Sequence, residues 1–199
     1  MGEPVSELDD DRLLQDASAG DTVAFRTLVD RHERFVYGMG LRLTGDVELS
    51  REIAQDVFVM IWKRASRYES KGSFRAYLAS VTINVSRNAR RKSARRSRFL
   101  FKGDSEPDSL PAPSVYRPEL KDRGLLRSVL SELRPAYREI LVLRYGFDFQ
   151  VREIAEATGA NEGTVKSHLA RGLKQALQIV ERRHARERAL SHQGPHTRD

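Results

Sequence analysis

The chain contains no cysteine, which excludes disulfide scaffolds, cysteine nucleophiles and cysteine metal sites and suits a reducing interior. Its apolar runs are only a few residues long, so neither a membrane span nor a signal-peptide core is expected. Aromatic residues make up only 8%. There is no phosphate-binding P-loop, no Gly-x-Ser-x-Gly elbow and no His-Glu-x-x-His; His32-Glu33-Arg34-Phe35-Val36 lacks the second histidine. Three of the five histidines, His184, His192 and His196, fall in the polar tail, so no metal, no cofactor and no catalysis are expected. What is present is 199 residues, 39% hydrophobic and 32% charged, enough for one ordinary domain or two small ones. A net charge of +7 and a pI near 9.9 favour a polyanionic partner, a property shared by ribosomal, membrane-surface and DNA-binding proteins.

The charge is unevenly placed. Residues 1–30 hold eight acids and two bases, whereas residues 63–102 hold thirteen bases and a single acid, Glu69. That basic block overlaps an apolar periodicity, which argues for an ordered basic surface over a solvated tail.

Apolar residues recur at helical spacing with almost no period-two alternation, and the expected fold class is all-α. Asp21 is placed to cap a helix whose face carries Phe25, Leu28, Val29, His32, Val36 and Met39. Thr44-Gly45-Asp46 ends it and offers Asp46 as the next cap, followed by Leu49, Ile53, Val57 and Ile61. After the break at Ser70–Ser73, Phe74, Tyr77, Leu78, Val81 and Val85 carry a third amphipathic helix to about residue 95. Residues 1–20 read as an acidic segment, solvated or shielding the basic helix.

Residues 99–122 hold four of the seven prolines and read as an extended linker. The second block, residues 123–183, opens with Leu126, Val129, Leu130 and Leu133. Pro135 suits the first position of the next helix, which carries Tyr137, Ile140, Leu141 and Tyr145 to a left-handed stop at Gly146. The remainder, 184–199, is a polar tail expected to fray.

Residues 149–180 form a helix-turn-helix pattern. Ile154 and Ala155 end a short apolar face, Gly159 supplies the turn and Asn161 caps the second helix. Val165, Leu169, Leu173, Ala176 and Val180 are the expected buried stripe, leaving Glu162, Thr164, Lys166, Ser167, His168 and Arg171 facing outward, where a recognition helix presents donors to base edges and phosphates. In the first block Asn84, Arg87, Asn88, Arg91 and Arg95 share a face opposite the apolar stripe. Just upstream, Tyr68, Phe74 and Tyr77 are interleaved with Arg67, Lys71 and Arg75, the mixture that unpaired strands require. Phe74 and Tyr77 suit the core equally well; Tyr68, beside the loop, is the better stacking candidate.

Taken together, two nucleic-acid surfaces joined by a long linker resemble a bacterial sigma factor of the extracytoplasmic-function (ECF) group. The resemblance covers about residues 10–98, the family's region 2, and 122–182, its region 4, with no trace of region 3. It rests on Arg51-Glu-Ile-Ala-Gln-Asp-Val-Phe-Val-Met-Ile-Trp-Lys63, on Ser73-Phe-Arg-Ala-Tyr-Leu-Ala-Ser-Val-Thr-Ile-Asn84, and on Glu153-Ile-Ala155 followed by Glu162-Gly-Thr-Val-Lys-Ser167. It implies two small helical domains, a region 2 bundle at 21–98 and a region 4 helix-turn-helix at 123–183. It further implies three sets of contacts. Arg51, Gln55, Asp56 and Trp62 would dock on core RNA polymerase. Tyr68, Lys71, Phe74, Tyr77, Asn84, Arg87, Asn88 and Arg91 would meet the minus-ten DNA. Thr164, Lys166, Ser167, His168 and Arg171 would meet the minus-thirty-five DNA. The implied partners are core RNA polymerase (β′ clamp helices and β flap), promoter DNA and an anti-sigma protein, without membrane insertion and in the bacterial cytoplasm. Two positions depart from the family pattern: His168 stands where Arg is usual, and the loop Tyr68-Glu-Ser-Lys-Gly72 is individual.

Two rival readings account for less of the chain. A sigma-mimicking adaptor, binding an anti-sigma protein without DNA, has no need of the Arg/Asn stripe or of Lys166 and Arg171. A transcription activator with a terminal helix-turn-helix leaves residues 46–95 unexplained.

Overall fold

The computed structural model describes residues 9–69, 73–99 and 120–191, all of whose regular elements are helical. The three helices expected in the first block are α2 (Thr22–Thr44), α3 (Val47–Arg64) and α4 (Phe74–Phe99), because one more precedes them. That helix, α1 (Asp10–Ser18), corrects the reading of residues 1–20 as a plain acidic segment. Asp9 caps it by accepting from the Arg12 N–H at 2.7 Å, and Leu13, Leu14 and Ala17 are buried in the first core. A nine-residue helix is marginal alone; its apolar face against α2 holds it.

The caps of α2 and α3 form as expected. Asp21 accepts from the N–H groups of Val23 and Ala24, and Asp46 from that of Leu49 at 2.9 Å. Gly45, left-handed at φ 73°, ends α2. Leu28, Val36, Ile53, Val57, Ile61, Leu78, Val81 and Val85 then build a four-helix core with α1.

The second block comprises α5 (Leu120–Glu132), α6 (Pro135–Leu141), a π-helical turn at Val142–Gly146, α7 (Val151–Thr158) and α8 (Glu162–Ser191). Pro135 opens α6 as predicted, but Gly146 is not left-handed. The chain widens into the π turn instead, Asp148 takes the positive φ (57°), and the missing Cβ of Gly146 leaves room for the Arg42 side chain, 3.3 Å from where it would lie. α8 runs to Ser191, past the point where a fraying tail was expected. Its stripe also differs: Leu173 is 47% exposed, while Val165 and Ile179 are buried and Leu169 and Ala176 partly so. Residues 165, 169 and 173 advance in steps of four, which drift about 40° each around a 3.6-residue helix; Gly172, not Leu173, keeps to the buried line.

The two blocks are not separate bodies. One core takes Met39, Leu43, Ala76, Ala79 and Ile83 from the first block and Ile140, Leu143, Phe149, Ile154, Ala157 and Val165 from the second. The small Ala76 and Ala79 let α7 lie close against α4. The expected linker lies almost wholly outside the described residues, as do the last eight residues of the tail. Among the described residues no helix is long and apolar enough to cross a membrane.

Candidate nucleic-acid interface

On α4 the stripe of Leu78, Val81 and Val85 is buried, which turns Asn84, Asn88, Arg91 and Arg95 into solvent on the far side. Arg87, of the same row, is half-exposed but already paired. Its Nε and Nη2 donate to the two carboxylate oxygens of Glu139 on α6 at 2.8 and 2.6 Å, a bidentate fork. Hydrogen bonding to that carboxylate, against the opposing effect of burial, raises the Arg87 guanidinium above its usual range.

At the N-terminal end of α4, Phe74 is 6% exposed and packed in the first core, so its ring offers no open face. Tyr77 is half-buried, and burial pushes its phenol up despite the opposing charge of Arg64. Tyr68 sits edge-on to Phe74 and 4.9 Å from Tyr77, and its hydroxyl donates to Asp11 on α1 at 2.7 Å. Tyr68 and Tyr77 border a cavity of about 180 Å³, lined also by Glu69, Ser73, Ser80 and, from α7, Glu156. Lys71 lies outside the described residues.

In the helix-turn-helix, Gly159 turns left-handed at φ 72° and Asn161 accepts from the Thr164 N–H at 2.7 Å, as the turn and cap required. The Glu153 carboxylate accepts from the Gln150 N–H at the start of α7. Lys166 and Arg171 are exposed on α8, with Lys166 3.9 Å from Glu162 one turn back. Thr164 and Ser167 are half-buried, and the Ser167 hydroxyl donates to the Thr164 carbonyl. His168 lies between the outward face and α6, its ring edge-on to Tyr137 at 5.1 Å.

A third surface runs along α3. Arg51, Gln55 and Asp56 are exposed, Arg51 pairing with Glu48, and Trp62 is 40% exposed with its ring edge-on to Phe25. Sequence reasoning missed Val59 on this face and Val23 on α2, 45% and 60% exposed. An unburied Val one turn before an unburied Trp was the available signal. It also missed Arg138 and Glu139, which periodicity alone would have left in solvent but which are buried.

Known families and structures match this arrangement. The family "Sigma-70 region 2" matches residues 28–96, and "Sigma-70, region 4" matches residues 123–175. The ECF RNA polymerase sigma factor SigK of Mycobacterium sp. (strain KMS) is 31% identical over 182 residues, covering 87% of this chain and 93% of that protein. The corresponding SigL of Mycobacterium tuberculosis (strain ATCC 25618 / H37Rv) is 28% identical over 166 residues, covering 81% and 93%. Among solved structures, CnrH in complex with the cytosolic domain of CnrY aligns with a TM-score of 0.64 at 23% identity over 87% of this chain and 98% of that one. RpoE of Bartonella quintana, in complex with the anti-sigma factor NepR, aligns at 0.65 and 18% identity over 79% and 96%. At these identities the two structures speak to the fold.

Proposed function

The chain belongs to the sigma-70 family, in its extracytoplasmic-function group, and on that premise we infer that it lends promoter recognition to core RNA polymerase. The first block would hold the melted minus-ten strand along Asn84, Arg87, Asn88 and Arg91, with Tyr68 and Lys71 at the loop. The second would read the minus-thirty-five duplex through Lys166, Ser167 and Arg171. The α3 face of Gln55, Asp56, Val59 and Trp62 would dock on polymerase. The carrying observation is the row Asn84, Asn88, Arg91 and Arg95, exposed opposite a buried apolar stripe on a single helix. Arg forks onto phosphates and guanine edges and Asn onto adenine with fixed, paired hydrogen bonds, where lysine presents a single point charge. No chemistry is asked of the chain. Phosphate neutralisation and stacking, roughly 1–3 kcal/mol per stacked base, would supply the binding. The complex of RpoE with the anti-sigma factor NepR supports an anti-sigma protein as a further partner.

In vitro transcription with core polymerase on genomic fragments tests this reading. Transcript starts that share paired upstream elements and depend on the added chain are the expected result. Tight polymerase binding without transcripts would favour the sigma-mimicking adaptor, and no polymerase binding would remove the reading altogether.

A further inference from the structure

The helix α1 lies outside residues 28–96, the stretch that matches the region 2 family. It is nevertheless tied to the rest of the first block through two adjacent carboxylates. Asp10 meets α2, where Arg31 and His32 both bind it. Asp11 instead accepts from the hydroxyl of Tyr68, 57 residues along the chain, at 2.7 Å. Tyr68 follows a short 3₁₀ turn, Ala65–Arg67, and its N–H closes that turn on the Ala65 carbonyl at 3.1 Å. Its ring is edge-on to Phe74 at 6.0 Å and tilted against Tyr77 at 4.9 Å. Backbone, ring and hydroxyl of this half-buried residue are therefore each restrained by a different element: the turn, α4 and α1.

We propose that Asp11 is a positioning residue for Tyr68, its carboxylate holding the hydroxyl so that the ring is set in advance for stacking on an unpaired base. This rests on the strand-holding role inferred above for Tyr68. A ring stacks only in one orientation, and ordering it before the strand arrives removes that entropy cost from the binding step. An ionised carboxylate is the stronger kind of acceptor for an O–H donor. Asp11 stands in the first turn of α1, where the helix dipole favours its charged form. Donation to Asp11 also commits the hydroxyl proton, so Tyr68 meets a base through its ring face and not as a donor to a base edge. Stacking of that kind tolerates any base. The helix itself does not depend on Asp11, because Leu13, Leu14 and Ala17 are buried and Asp10 is paired. Removing the Asp11 carboxylate releases the ring and leaves α1 in place.

The test uses the full chain assembled with core polymerase and a mixed-sequence single-stranded deoxyoligonucleotide carrying 2-aminopurine, whose fluorescence is quenched on stacking. Asp11→Ala and Tyr68→Phe should each weaken strand binding roughly three- to tenfold and reduce quenching at saturation. Together they should cost no more than either alone, because both delete the same bond. Asp11→Asn, whose amide oxygen still accepts, should recover most of the loss. Affinity for polymerase should stay unchanged, which a general loosening of the first block would not allow. Additive losses would overturn the proposal. So would an Asp11→Ala chain that binds and quenches like the unsubstituted one while Tyr68→Ala does not, an outcome that leaves the stacking role of Tyr68 intact. Strand binding and quenching unaffected by Tyr68→Ala would instead remove the stacking role, and this proposal with it. Absence of strand binding by the assembled, unsubstituted chain would overturn the promoter reading itself.

Discussion

At the scale of single residues, Asp10 shows how the acidic helix α1 is tied to α2. Burial alone would raise its carboxyl. The hydrogen bond and charge of His32, at 2.8 Å, and then those of Arg31, at 2.6 Å, outweigh it and hold the group below 3.8. A depressed carboxylate contributes stability that is fully present above its unfolded pKa and lost as pH falls through the folded value. Asp10→Asn should therefore cost about 1 kcal/mol at neutral pH, the scale of partly exposed pairs. In urea titrations the gap to the unsubstituted chain should close as pH is taken below 3.8. A gap independent of pH would mean that the ion pairs contribute nothing. Gly172 presents the opposite situation, a place where an atom is forbidden. A Cβ there would sit 3.1 Å from Leu141 Cδ1 and 3.2 Å from Tyr137 Cβ, the latter held next to its backbone. Gly172→Ala should lower stability by about 1 kcal/mol, overpacking outweighing the usual helical gain over Gly. A raised urea midpoint would show that α6 yields freely.

At the scale of elements, what could be read in the sequence was whatever local chemistry determines. Asp21, Asp46 and Asn161 cap because a short acceptor precedes an apolar run, and Gly45 and Gly159 stop helices because they accept positive φ. Element ends set by distant packing were not readable: α1 forms because Leu13 and Leu14 find α2, and the π turn replaces a Gly stop because Arg42 fills the space at Gly146. The site divides along the same line. Exposure of Asn84, Asn88, Arg91, Lys166 and Arg171 follows from the opposite face being apolar, whereas the occupation of Arg87 by Glu139 requires a contact 52 residues away. The division of labour among elements is testable. Lys166→Ala or Arg171→Ala on α8 should weaken duplex binding and reduce the slope of log K against log salt by about 1. Asp56→Ala on α3 should weaken polymerase docking alone. Equal loss of polymerase affinity from all three would contradict the assignment of separate faces.

At the scale of the whole molecule, the two blocks share one core, so their folding should be coupled. The chain carries a built-in reporter of the first block, its single tryptophan, Trp62, on α3 and outside the shared core. Phe149→Ala removes a fully buried ring from the second block, which costs about 3–5 kcal/mol when the site cannot collapse. In a chain of this length that corresponds to a fall in midpoint of roughly 10 °C. Coupling through Met39, Leu43, Ala76, Ala79 and Ile83 predicts that Trp62 fluorescence and far-UV circular dichroism fall together, with one shared midpoint before and after the substitution. A Trp62 transition that stays in place while circular dichroism acquires an earlier step would mean that each block is stable by itself. The interface would then be too weak to hold the two blocks together, because a contact that contributes nothing to unfolding cannot favour the packed form over a separated one.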